Sequence, residues 1–132
     1  MNYIFLHDGS LFLLDFDSCC VGHPGYDVAN FLASMYYLDA QDFVDAGLRR
    51  EIARLFLEGY AAHARWPIPA RAVMGFLSGL LIHKQAFKYA KHFHADRVEK
   101  VGQMLALADA VIERAKEMPA HCTCAEAWKA LP

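Results

Sequence analysis

The sequence predicts an α+β chain that is mostly α: an N-terminal β-hairpin followed by a helical subdomain of four to five helices. Three observations carry this. Two short apolar runs, Tyr3 to Leu6 and Leu11 to Leu14, flank the turn residues His7-Asp8-Gly9-Ser10. From Asp27 onward, apolar residues recur at the three- and four-residue spacing of helix faces. Apolar residues make up 56% of the 132, enough for one core and one domain. Residues 1–26 read as hairpin and loop, and 27–132 as the helical part.

The hairpin rests on Asp8-Gly9, a pair suited to the positive φ angles of a tight turn. A lone hairpin is marginal in water, so it is expected to pack on the helices. Turn-forming residues follow, Asp15-Phe16-Asp17-Ser18 and Gly22-His23-Pro24-Gly25. The first helix is expected to start near Asp27, with Val28, Phe31, Leu32, Met35 and Tyr36 on one face. The second spans Leu48 to Arg65, with Leu48, Ile52, Leu55, Phe56 and Tyr60 inward, and Pro67 and Pro69 separate it from the third. The third runs from Ala70 to Phe93, with Val73, Leu77, Leu80, Leu81 and Phe87 inward. Lys84, Lys88, Lys91 and His92 line another side; such a stripe suits an anionic substrate, but its common use is a solvated face. The fourth runs from Asp96 to Met118, with Val98, Val101, Leu105, Ala108 and Ile112 inward. A tail helix is expected near Thr123 to Leu131.

Composition excludes some classes of partner. A net charge of −2 with no basic arm argues against nucleic acid. The longest apolar helical run, Val73 to Ile82, is too short to span a bilayer, so no membrane partner is expected. The N-terminus lacks the basic start and small-residue cleavage site of a signal peptide. The four cysteines fall in two close pairs, Cys19-Cys20 and Cys122-Thr123-Cys124, as expected of reduced thiols in a cytoplasmic protein. His92 and His94 with Cys122 and Cys124 are zinc-ligand types, but their spacing matches no common zinc motif.

The chemistry sits at the start of the chain. Magnesium prefers oxygen ligands and is often held by one or two protein carboxylates or amides plus substrate phosphates. Asn2 precedes the first strand and Asp15 follows the second, so the hairpin brings two oxygen ligands to one end. The run Asn2…Leu13-Leu14-Asp15-Phe16-Asp17…Gly22-His23-Pro24-Gly25-Tyr26-Asp27-Val28-Ala29-Asn30-Phe31-Leu32 resembles the aminoglycoside phosphotransferase and choline kinase-like family. These are small-molecule kinases with a protein-kinase-like fold, and the resemblance is to their C-terminal lobe.

The resemblance implies a role for each matching position. Asn2 corresponds to the loop Asn on the second metal, and Asp15 to the metal-binding Asp that reaches the nucleotide phosphates through magnesium. Asp17 stands where protein kinases have the Gly of Asp-Phe-Gly and is a further candidate metal ligand. Asp27 corresponds to an Asp that braces the catalytic loop, a structural support of the site; as a plain residue before a helix it also reads as an N-cap. His23 stands where the family has Asp. The family's catalytic Asp belongs five positions before Asn2, so no catalytic residue is assigned within the 132.

The implied reaction transfers the γ-phosphoryl of ATP or GTP, with Mg2+, to a hydroxyl of a small-molecule acceptor. These residues alone are expected to be inactive without the nucleotide-cradling N-terminal lobe, and either to meet that lobe or to self-associate. A non-enzymatic helical binding or scaffold module derived from the kinase lobe is the alternative.

Overall fold

The computed structural model describes residues 2–14, 19–91 and 95–132, with side chains for 4–14, 19–91 and 97–132. Two strands, β1 (Asn2–Phe5) and β2 (Leu11–Leu14), pair antiparallel in the register Asn2↔Leu14, Tyr3↔Leu13, Ile4↔Phe12 and Phe5↔Leu11. The helices are α1 (Gly25–Asp39), α2 (Ala46–His63), α3 (Ala70–Leu80), α4 (Phe87–Ala90), α5 (Ala95–Glu117) and α6 (Cys124–Ala127). A π-helical segment, Leu81–Ala86, joins α3 to α4, and a 3₁₀ turn, Trp128–Ala130, follows α6. The α+β, mostly helical architecture is the one the sequence predicts.

The hairpin turn differs in type from a two-residue turn with paired positive φ angles. Gly9 N–H donates to Leu6 C=O at 3.0 Å, and Leu6 N–H to Ser10 C=O at 2.9 Å. Gly9 alone in this turn has positive φ, +84°, while the Asp8 carboxylate accepts from Ser10 N–H at 2.8 Å. This is a three-residue loop closed by a left-handed glycine, a common hairpin solution. That hydrogen bond holds the Asp8 carboxyl below its ordinary pKa.

The expectation that the hairpin packs on the helices is not met. Ile4, Leu11, Phe12, Leu13 and Leu14 are each about half exposed, so both faces of the ribbon meet solvent. No described hairpin residue belongs to the buried core cluster. The helical layer closes its core without the ribbon: α1 and α5 both pack on α3, and α6 packs on α2 and α3. Val28, Leu32, Leu57, Val73, Met74, Leu77, Leu81 and Val111 are fully buried there.

Helix boundaries follow local chemistry. Helix α2 starts at Ala46, two residues ahead of expectation, because the Asp45 side chain caps it by accepting from Leu48 N–H at 2.8 Å. Helix α6 opens with a capping box in which Thr123 and Glu126 satisfy each other's backbone N–H groups. An antiparallel bridge, Pro69↔Thr123, ties this end to the start of α3, with Cys124 N–H donating to Ile68 C=O at 2.7 Å. Cys124 is buried in the core, and burial raises its thiol pKa. Cys122 and Cys124 thus serve a backbone junction. His92 and His94 lie outside the described residues.

Three predicted faces are met in part, with Val73, Leu77, Leu80, Leu81 and Ala108 buried as expected. In α2, Leu48 and Leu55 are about half exposed, while Ala53 and Leu57 are buried beside Arg49. Arg49 stacks over the Tyr36 ring at 4.1 Å and pairs with Asp39 at 2.8 Å, so a charged residue holds the inward position. In α5, Val98 and Leu105 are exposed while Met104, Ala108, Val111 and Ala115 are buried. The small alanines let α5 approach α3, where buried Ser78 Oγ donates to Ala108 C=O at 3.0 Å. The third case is Phe87, expected inside and found 63% exposed. Leu80 and Leu81 are buried, and the next buried pair is Gln85 and Ala86, five residues on. A π segment has i→i+5 hydrogen bonds and inserts one extra residue per turn. The downstream face therefore shifts by one position, and Phe87 turns out.

Candidate functional site

The hairpin register fixes where Asn2 lies relative to the second strand. Asn2 lies directly opposite Leu14, the residue that precedes Asp15 in the chain. Backbone pairing of β1 with β2 thus places Asn2 at the open end of the ribbon, as the spacing predicts. The predicted ligands Asp15 and Asp17 lie outside the described residues, as does the side chain of Asn2. In chemistry the set fits a hard cation: one amide oxygen and two carboxylates, with no sulfur or imidazole among them. Among the described residues, no cluster of three or more His, Cys, Asp or Glu side chains is placed to hold a metal.

The start of α1 shows what His23 does. Its Nδ1 accepts from Gly25 N–H at 3.0 Å, and its ring tilts against Phe76 with centroids 5.4 Å apart. A carboxylate two residues before an N–H makes the same contact in an Asx turn. The imidazole therefore performs the turn-forming work open to an Asp at this position, and its aromatic body anchors the turn to α3. The packing around Gly25 is tight. A Cβ there would meet His23 Nδ1 at 3.0 Å, Cε1 at 3.1 Å and Ile68 Cγ2 at 3.3 Å.

Asp27 is not the N-cap. The cap position is Pro24, and Asp27 sits in the first turn of α1, where a carboxylate is favoured by the helix dipole. It is exposed and has no hydrogen-bond partner among the described residues. Asn30 and Ser34 follow it on the same face of α1, three and seven residues on.

Sequence reading missed the polar groove beside that face. Asn30, Ser34 and Tyr37 of α1 face Lys84 of the π segment and Lys88 of α4 across a cavity of about 220 Å3. Lys84 Nζ donates to Asn30 Oδ1 at 2.8 Å, and Lys88 Nζ lies 4.3 Å from the centre of the Tyr37 ring. Two of the three lysines of the stripe are thus engaged with α1 rather than simply solvated. The helical spacing was visible, but not which helix the stripe would meet.

The described residues form an antiparallel ribbon, then a turn that opens a helix with an acidic first turn. The sequence model of the phosphotransferase enzyme family (APH) matches residues 2–67, half of the chain, and the chain belongs to that family. No curated protein and no solved structure matches it. The family match covers the ribbon, α1 and α2 but ends before Lys84 and Lys88.

Proposed function

We propose that this chain is the C-terminal part of a cytoplasmic small-molecule kinase that transfers the γ-phosphoryl of ATP or GTP to an acceptor hydroxyl. The observation that carries the reading is the register Asn2↔Leu14, which sets an amide ligand across from the strand end that leads into Asp15, within the family match. In this reading Asn2 and Asp15 would hold Mg2+, and Asp17 would be a further ligand. Bound magnesium neutralises charge on the phosphates, and positioning with electrostatics supplies most of the rate in this chemistry. The acceptor oxygen bonds to the γ-phosphorus, the bond to the bridging oxygen breaks, and the nucleoside diphosphate leaves. The acceptor's proton passes to a base outside these 132 residues, because none of them matches the family's catalytic Asp. Residues 1–132 alone are therefore inactive in this reading. Exposed Asp27 supports the loop that carries the base, and the turn at His23 and Gly25 fixes where α1 begins.

Calorimetry of Mg·ATP binding, with Asp15→Asn beside the parent chain, tests this. Binding in the millimolar range or tighter that Asp15→Asn removes is expected. If the parent chain binds no Mg·ATP, the metal half-site is absent and the helical part acts as a binding or scaffold module. The charge-free apolar strands of the ribbon fit a docking role in the working enzyme, against an N-terminal lobe or a second copy of this chain.

A further inference from the structure

The groove between α1 and the π segment has an unusual balance of charge. Its two ionic side chains are both lysines, and no acidic side chain lines it among the described residues. Lys84 and Lys88 are four residues apart in the chain and line the same cavity. Burial, and then the neighbouring Lys84 charge, hold Lys88 below its ordinary pKa. Among the described residues each has a neutral partner only: the Asn30 amide oxygen for Lys84 and the Tyr37 ring face for Lys88. Neither partner neutralises charge. Lysine only donates, so the Asn30 atom it meets is Oδ1, and the Asn30 NH2 remains as a further donor. The wall is displaced by the π segment, a feature common at functional sites.

We propose that this groove binds the anionic group of a small polar molecule, with Lys84 and Lys88 supplying the charge and the Asn30 amide a hydrogen bond. The groove lies on the face of α1 that begins with Asp27. Its role as the acceptor subsite rests on the kinase reading; in that role the acceptor is a hydroxylated carboxylate or phosphate rather than a polycation. An ammonium-rich acceptor would meet two like charges with no carboxylate among the described lining residues to offset them. The cavity, at about 220 Å3, compares with roughly 30 Å3 for each water in the liquid, which suits a small metabolite and not a large oligosaccharide.

Three hydroxyl-bearing probes of different charge test it: D-glycerate, glycerol and choline, titrated at constant ionic strength into 15N-labelled chain and followed by amide shifts. Saturable shifts with glycerate at residues 30–38 and 81–88, and none with glycerol or choline, are expected. The K84Q/K88Q double variant should weaken glycerate by about tenfold or more, as expected for loss of charged hydrogen bonds, while K91Q leaves it unchanged. Choline binding at those residues, or glycerate shifts that survive K84Q/K88Q, overturns the proposal. The Mg·ATP measurement separates the two readings. Glycerate binding without nucleotide binding keeps the groove and removes the kinase; nucleotide binding without glycerate binding does the reverse.

Discussion

Gln85 offers the sharpest test of how the π segment is held. It is fully buried, and both Oε1 and Nε2 lack a hydrogen-bond partner among the described residues. An unpartnered buried amide costs on the order of 1–3 kcal/mol. Methionine has nearly the shape of glutamine and no polar atoms to satisfy; such near-isosteric swaps cost under about 1.5 kcal/mol in misfit. Gln85→Met should therefore stabilise the fold by about 1 kcal/mol. Gln85→Glu should destabilise it by several-fold more than that gain, because it buries a carboxyl group that must stay protonated. Urea denaturation followed by circular dichroism reads both as shifts of the midpoint at constant slope. A Gln85→Met chain destabilised by more than about 1 kcal/mol would refute the reasoning. It would show that the amide is satisfied in solution, by a buried water or by a rearranged π turn.

Three further outcomes are expected. Gly25→Ala should lower stability by about 1–3 kcal/mol through overpacking against His23 and Ile68, and the added His23→Ala should return part of it; equal losses in both chains would count against the contact. Tyr36 is pushed up to about 12 by burial, against an ordinary value of 10.0, so its contribution is complete below pH 10 and is lost as pH rises from 10 toward 12. That loss, on the order of 2–3 kcal/mol, should appear in denaturation midpoints and shrink in Tyr36→Phe, although Tyr60 and Tyr89 shift in the same direction. Phe12→Lys with Leu13→Lys places one charge on each face of the ribbon and should suppress self-association seen by sedimentation velocity, with little change in the helical melt, because neither side chain enters the core.

Much of the architecture was legible because it depends on short-range chemistry. Asp8-Gly9 between two apolar runs marks a hairpin by local backbone preference alone, and the register follows from loop length. Pro67, Pro69 and Pro119 mark helix ends because proline lacks a donor. The family signature from Asn2 to Leu32 was legible for the same reason, since its residues are close in sequence. The missed Asp45 cap was equally local, and the run Asp45-Ala46-Gly47-Leu48 carried the signal.

What the sequence by itself determined is the hairpin, the order of helices and the family. The tertiary structure decided which side of each helix faces in, and so what the groove contains. In α2 and α5, several apolar positions compete for the interior, and packing buried Ala53 and Leu57 in one and Met104, Ala108, Val111 and Ala115 in the other. The π segment has no propensity signal, because its extra residue is stabilised by the neighbours it meets. That one residue turned Phe87 out and Gln85 in. The role of His23 was likewise invisible until Phe76 and Gly25 stood beside it. A side chain's partners across the fold, unlike its neighbours along the chain, come into being only when the helices dock.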